Sequence, residues 1–123
     1  MADSSNIPWL AEPEEKDYPA AQSYLTLLFD EAVVGNLVAG LRKAGVCRFK
    51  AKDIFRASGL SLLGVSNSHV EKDRKKVKEG TALSPILLVR DGRQGKLIIA
   101  DGYHRLCAVY SISEDEWIPC KIV

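Results

Sequence analysis

Residues 97–110 read LIIADGYHRLCAVY and join a predicted strand to a predicted helix. The apolar run 97–100 is typical of a buried strand, and the run 106–110 is typical of a buried helix. Between them lies DGYHR, residues 101–105, whose glycine favours a tight turn. Such a turn directs the first N–H groups and the positive end of the helix dipole toward one spot, which suits an anion. Because Arg105 can bind phosphate through two parallel hydrogen bonds, the stretch predicts a phosphate pocket.

The composition is that of a globular protein with one core. The chain has 123 residues, of which 46% are hydrophobic and 27% charged, and its net charge is +1. This charge gives no global electrostatic argument for nucleic acid or a membrane as the partner. The three cysteines, Cys47, Cys107 and Cys120, lack CxxC spacing, so they indicate neither a disulfide framework nor a structural zinc site.

Residues 1–17 show neither the pattern of a helix or strand nor a targeting signal. No basic segment precedes an apolar stretch, and no apolar run approaches the ~20 residues that a membrane span needs, so we expect a cytoplasmic protein. Residues 1–17 carry a cluster of glutamates and few apolar side chains, which predicts a flexible acidic arm tethered at most by Trp9 and Leu10.

Residues 18–45 predict a helical extension. A helix starts at Pro19, and a second apolar stripe runs from Val33 to Leu41 before Gly45, a residue typical of a helix C-terminus. The pattern fits either a helical hairpin or one kinked helix.

Residues 46–123 predict a mixture of strands and helices. Strands are expected at 46–51, 84–90, 97–100 and 118–123, and the last of these contains Pro119, which favours a sheet edge. In this last segment Ile118, Cys120 and Ile122 alternate with Pro119, Lys121 and Val123, a period typical of a strand. A short helix is expected that Asp53 caps and Gly59 ends. A second helix is expected over 68–79, where Ser68 and Glu71 match a capping box. Residues 60–67 and 91–96 are predicted loops.

From about Phe49 to Val123, this order of elements resembles the ParB/sulfiredoxin superfamily. The segment 83–89, LSPILLV, is similar to the family's Pro-Ile-x-Val strand, and residues 99–105, IADGYHR, are similar to its phosphate-binding segment. The resemblance implies an α+β fold, a small mixed sheet flanked by helices, with residues 18–45 as a helical N-terminal extension. It also implies that Gly102, Tyr103, His104 and Arg105 bind the phosphates of a nucleotide, as in the superfamily's nucleotide-dependent serine kinases.

The chain also departs from the family's patterns. Sulfiredoxins carry their catalytic cysteine directly before the His-Arg pair, where this chain has Tyr103, so we do not expect sulfiredoxin activity. Partition proteins of the ParB family continue into DNA-binding and dimerisation domains, whereas this sequence stops at Val123, so we do not expect a complete partition protein. The acidic residue that the kinases use aligns loosely with Glu71.

Each candidate site residue also has a purely structural interpretation. Asp101 either caps the following helix or acts as a base or magnesium ligand. His104 either donates a hydrogen bond to a backbone carbonyl, or it contacts phosphate or transfers a proton. Arg105 either binds phosphate or pairs with an acidic neighbour such as Asp101. Glu71 either completes the capping box or is catalytic.

The helix over 68–79 is the other candidate region. His69 either is a surface residue or faces the pocket. The basic run between Lys72 and Lys78 is typical of a solvated face, and DNA binding is the less favoured interpretation because acidic residues are interleaved and no broad basic patch appears. Cys107 is expected to be a small core residue.

These observations lead to two functional hypotheses. The first is binding of a phosphorylated small molecule, a nucleotide such as ATP, ADP or CTP with Mg²⁺, with phosphoryl transfer or nucleotide hydrolysis as the chemistry and Asp101, His104 or Glu71 as catalytic residues. The second is a non-catalytic adaptor that binds a protein or DNA partner, with homodimerisation through the N-terminal helices as one version.

Overall fold

The computed structural model describes residues 7–61, 67–93 and 95–123. The helices among these residues are α1 (Asp17–Leu25), α2 (Glu31–Lys43), α3 (Ala51–Ser58), α4 (Ser68–Lys78) and α5 (Tyr103–Ile112). The strands are β1 (Cys47–Lys50), β2 (Ile86–Asp91), β3 (Lys96–Asp101) and β4 (Trp117–Ile122). Their sheet has the order β1-β4-β2-β3, with β2 and β4 parallel and the other neighbours antiparallel. The predicted α+β class, a mixed sheet with helices, is confirmed.

Helices cover both faces of the sheet, which explains the apolar run in β2. Leu87 and Val89 pack with α1 and α2 on one face, whereas Ile86 and Leu88 pack with α3 and α5 on the other. All four side chains are buried, as the sequence predicted. The predicted N-terminal extension therefore packs directly on the sheet, as two helices separated by residues 26–30, with Asp30 accepting a hydrogen bond from the Val33 N–H at 3.0 Å.

The last strand does not lie at a sheet edge, so that prediction was wrong. β4 lies between β1 and β2. Its pairing with β2 begins at Cys120, whereas Pro119 pairs with Arg48 of β1, so proline has a strand partner on one side only. Both sets of alternating residues are buried in this strand, Pro119 and Lys121 as well as Ile118 and Cys120.

The segment 7–16 is packed in part, whereas a flexible arm was predicted over residues 1–17. Residues 1–6 lie outside the described residues. Ile7 is buried in the core, and Trp9 forms a parallel bridge to Leu83. The Leu83 N–H donates to the Pro8 carbonyl at 3.0 Å, and the Leu10 N–H donates to the Leu83 carbonyl at 2.8 Å. The segment therefore makes sheet-like hydrogen bonds that its acidic composition did not reveal.

The buried Lys121 ties this segment to β4. Its ammonium donates to the Arg42 carbonyl at 3.0 Å and lies 3.1 Å from a carboxylate oxygen of Glu12. Burial disfavours the charged ammonium, but hydrogen bonds with Tyr18 and Glu12 leave the pKa of Lys121 raised. Lys121 is thus part of the packing between the N-terminal segment and the sheet.

Two predicted helix caps differ from the observed ones. α3 follows β1 directly, so Asp53 lies in its first turn rather than at the cap, although Gly59 ends the helix in a left-handed conformation as expected. α4 is capped by Asn67, whose side-chain oxygen accepts from the N–H groups of His69 at 3.0 Å and Val70 at 3.2 Å. Residues 62–66 and Gln94, in the two predicted loops, lie outside the described residues. None of the helices in the described part of the chain is long and apolar enough to cross a membrane.

Candidate functional site

The turn between β3 and α5 depends on Gly102. This residue has φ 109° and ψ 16°, a backbone conformation that side chains with a Cβ rarely adopt. A Cβ built on Gly102 would lie 2.8 Å from the Cβ of Ile86 and 2.9 Å from Nη2 of Arg105. Glycine is therefore required here by backbone conformation and by close packing on β2, whatever the turn binds.

The N-terminus of α5 is left uncapped. Gly102 occupies the capping position, and no described side chain accepts a hydrogen bond there. Asp101, which the sequence offered as a cap, instead accepts a hydrogen bond from Arg105 Nη2 at 2.9 Å. The N–H groups of the first turn, at Tyr103 to Arg105, thus keep their capacity to bind an anion.

Arg105 forms an ion pair with Asp101, which was one of the two interpretations of this residue from the sequence. Its Nη2 lies 2.9 Å from Oδ2 of Asp101 and 3.7 Å from Oδ2 of Asp17. The Asp17 carboxylate is buried and accepts a hydrogen bond from the Ser84 hydroxyl. The Arg105 side chain is 17% exposed, and its guanidinium is held mainly by carboxylates, although its buried Nε has no hydrogen-bond partner among the described residues.

The surroundings of Asp101 raise the pKa of its carboxyl. Burial raises its pKa above the usual range, and the neighbouring charge of Asp17 acts in the same direction. The Arg105 guanidinium lowers this pKa but does not compensate fully. A carboxyl with a raised pKa is a better proton acceptor than an ordinary aspartate, which is one property of catalytic carboxylates.

A cavity of about 190 Å³ lies between the N-terminal turn of α5 and one face of α4. The α5 side contributes the residues of the DGYHR turn. The α4 side contributes residues spaced three and four apart, which share one helix face. The cavity is lined by Asp101, Gly102, Tyr103, His104 and Arg105 and by His69, Lys72, Asp73 and Lys76.

Both histidines of the chain meet at this cavity. The rings of His69 and His104 have their centroids 4.9 Å apart, and the Tyr103 ring lies 5.7 Å from that of His104. The Tyr103 hydroxyl donates to the Ser61 carbonyl, and burial, followed by the contact with Cys107, raises the pKa of this phenol. His69 therefore belongs to the candidate site. The sequence alone had left open whether this histidine faces the pocket or is only a surface residue.

Packing between α4 and α5 holds the two helix starts side by side. Val70 of α4 is buried against Cys107 and Ala108 of α5. Arg74 adds a hydrogen bond from Nη1 to the Ser111 hydroxyl at 2.6 Å. Cys107 is thus a small core residue, as predicted.

The basic run of α4 is divided between different environments. Lys72 and Lys76 line the cavity, and Lys76 lies 3.9 Å from Asp73. Lys75 and Lys78 are not among the residues that line it. The His69-Lys72-Asp73-Lys76 spacing, at steps of three and four residues, was the available sequence signal for this face.

Glu71 is not part of the cavity. Its carboxylate is exposed and lies 3.7 Å from Nε of Arg74, and Asn67 rather than a Ser68–Glu71 box caps the helix. Asp73, which is largely buried, is the acidic residue that α4 brings to the cavity. The catalytic assignment of Glu71 has no geometric support, because Glu71 lies two residues before Asp73 and therefore on a different face of the helix.

The donor set fits phosphate better than a protein-bound metal. Within the described residues, no group of three or more His, Cys, Asp or Glu side chains is placed to hold a metal ion. Asp101 is engaged by Arg105, and Asp73 has Lys76 nearby. The cavity is also not the largest, since concavities of about 330 and 440 Å³ lie beside β3 and beside Trp9.

Comparison of the chain with protein-family models, with curated proteins and with solved structures found no match. The resemblance to the ParB/sulfiredoxin superfamily therefore stays a prediction that depends on the motifs quoted above.

Proposed function

We propose that this protein binds the phosphate groups of a small molecule at the cavity between α4 and the start of α5. The observation that carries the proposal is the uncapped N-terminus of α5 beside Lys72, Lys76 and two histidines. Main-chain N–H groups and the helix dipole favour a negative charge at this position, and the lysines add positive charge from the facing helix.

Arg105 supports this site indirectly. Because its guanidinium is bound to Asp101 and lies near Asp17, it neutralises carboxylates that would otherwise repel phosphate. The bidentate contact that the sequence suggested is not needed in this arrangement. Arg105 acts as a positioning residue, and the direct contacts come from the Tyr103 and His104 amides, Lys72 and Lys76.

The cavity volume limits what the site encloses. At about 190 Å³ it is below the ~300–1,000 Å³ typical of small-molecule pockets. The phosphate groups of a nucleotide would occupy the cavity, and the base and sugar would lie outside it. A Mg²⁺ ion would be carried by the phosphates of ATP, ADP or CTP, since no group of three or more His, Cys, Asp or Glu side chains in the described residues could hold it.

Phosphoryl transfer or nucleotide hydrolysis is the chemistry that such a site suits, because positioning and charge neutralisation supply most of the catalysis there. Asp101, with its raised pKa, and His104 are the proposed proton acceptors. Glu71 is not proposed, since it lies away from the cavity.

Calorimetric titration with ATP, ADP and CTP, each with and without Mg²⁺, tests the proposal. The double variant Lys72→Ala/Lys76→Ala should weaken binding by about tenfold or more, or about 1.4 kcal/mol. The matched control, Lys75→Ala/Lys78→Ala, removes the same charge from the same helix and should change the affinity less than about twofold. Equal affinities of the two variants, or no binding by the wild type, would reject the assignment.

An adaptor function is the second candidate, and one surface favours it. The turn after α1 exposes Leu27 (82%), Leu28 (48%) and the neighbouring Tyr24 (43%). Clustered exposed apolar side chains are typical of protein interfaces. Sedimentation equilibrium of the wild type and Leu27→Asp would test the homodimer version, in which only the wild type self-associates.

A further inference from the structure

A groove of about 330 Å³ runs beside the free edge of β3, and we refer to it as the β3 groove. Its floor is formed by Leu97 and Ile98 of β3, and its walls by the α1–α2 turn and by residues at the end of α3. It lies apart from the phosphate cavity, with which it shares no lining residue.

The floor of the groove is an unpaired strand edge. Among the strands that the structure describes, β3 is the last of the sheet and pairs with β2 alone. No backbone group of Lys96–Asp101 bonds to the backbone of any other segment that the structure describes. An antiparallel edge strand presents N–H and C=O groups at alternate residues, ready to pair with an added strand.

The walls of the groove are apolar and exposed. Tyr24 is 43% exposed and Leu28 48% exposed on one wall, and Leu60 is 44% exposed on the other. Proteins usually protect a free strand edge with charge, proline or a covering element. Here Lys96 lies at one end of the edge, whereas apolar side chains flank the rest, which is the pattern of a binding surface.

Charge distinguishes one end of the groove. Arg93 and Lys96, at the hairpin between β2 and β3, make no ion pair with any described residue. Asp91 is the carboxylate at this end, and one of its oxygens accepts from the Arg93 N–H at 3.2 Å. The net positive charge complements an acidic side chain or a C-terminal carboxylate.

We propose that the β3 groove binds an extended peptide segment of a partner protein by strand addition. The segment pairs with the free edge of β3, places apolar side chains at alternate positions against Tyr24, Leu28 and Leu60, and sets an acidic group beside Arg93 and Lys96. Main-chain hydrogen bonds supply affinity in this mode of recognition, and the side-chain contacts supply specificity.

Selection of a displayed library of random peptides of about eight residues against the full chain tests this inference. Enriched peptides should combine alternating apolar residues with an acidic residue toward one end. When the best peptide is titrated into ¹⁵N-labelled protein, amide shifts and new hydrogen-exchange protection should concentrate at residues 97–100.

Matched variants make the test specific. Leu28→Asp should weaken binding of that peptide about tenfold or more, and Arg93→Glu/Lys96→Glu should weaken binding of its acidic form more than that of an alanine-substituted form. Ile112→Asp, at a similarly exposed apolar position at the end of α5, is the control and should leave the affinity unchanged. Absence of enriched peptides, shifts outside the groove, or a dimer that occupies the groove would overturn the proposal.

Discussion

Gly102 meets two structural requirements at one position, a positive φ and close contact with Ile86. Gly102→Ala should lower the free energy of unfolding by about 3 kcal/mol, because strain and overpacking each cost about 1–3 kcal/mol. Urea denaturation measures this loss. Gly35→Ala is the control: in α2 a Cβ at Gly35 meets no atom within 4 Å, so alanine should be neutral or stabilising by about 0.5–1 kcal/mol. Equal effects would contradict the role given to Gly102.

The raised pKa of Asp101 makes a prediction with a definite sign. The folded state binds the proton of this carboxyl more tightly than the unfolded chain does, so the charged carboxylate opposes folding at neutral pH. The stability of the wild type relative to Asp101→Asn should therefore rise as the pH falls from 7 through the folded-state pKa, and should level off below about 3.8. Urea denaturation of both proteins from pH 7 to 3.5 checks this, and a difference that falls on acidification would contradict it.

The sequence correctly predicted the turn at residues 101–105 but did not identify all the residues that its side chains contact. The Asp101–Arg105 pair is local and was one of the two interpretations of Arg105. Asp17, the second carboxylate, comes from the other end of the chain, and His69 comes from α4. Such long-range partners depend on how the helices pack, which spacing within one segment does not specify.

Among the elements, α4 shows how a cap is chosen between neighbouring polar residues. Asn67 accepts two N–H bonds, whereas Ser68 lies inside the helix. Asn67→Ala should cost about 1 kcal/mol in the free energy of unfolding, and Ser68→Ala should cost less than about half of that. Guanidinium denaturation of the two variants distinguishes them, and a larger loss for Ser68→Ala would restore the capping box predicted from the sequence.

The strands illustrate what periodicity can and cannot predict. The apolar run 86–89 correctly predicted a strand buried on both faces. Pro119 was misinterpreted because the rule against proline in central strands concerns hydrogen bonds on both sides, and β2 pairs with β4 only from Cys120 onward. Sequence patterns therefore predicted the elements well. They did not predict that the pairing of β4 with β2 begins only after Pro119, which allows a strand with a proline to lie inside the sheet.

At the scale of the whole molecule, the N-terminal segment completes the core. Ile7→Ala should lower the free energy of unfolding by about 2–3 kcal/mol, because the side chain is buried among sheet and helix residues. Leu10→Ala, at an exposed position of the same segment, should cost less than about 1 kcal/mol. Thermal and urea unfolding measure both values. A silent Ile7→Ala would restore the flexible arm that the acidic composition predicted.

The charge of the whole molecule is nearly balanced, so function depends on local arrangements. A net charge of +1 gives no general attraction for anions, yet α4 and α5 bring Lys72, Lys76 and the free amides of one helix together. The DGYHR segment predicted half of this cavity. For the α4 half, the sequence left His69 between a surface position and the pocket, and only the packing of Val70 against α5 decided between them.

The central claim is that the start of α5 binds phosphate, and a ¹H–¹⁵N spectrum titrated with inorganic pyrophosphate tests it most directly. The account predicts that the amides of Tyr103 and His104 show the largest saturable downfield shifts, and that Lys72→Ala/Lys76→Ala weakens the response whereas Lys75→Ala/Lys78→Ala does not. Shifts that are absent from these amides, or spread equally over the lysines of α4 in both variants, would contradict it.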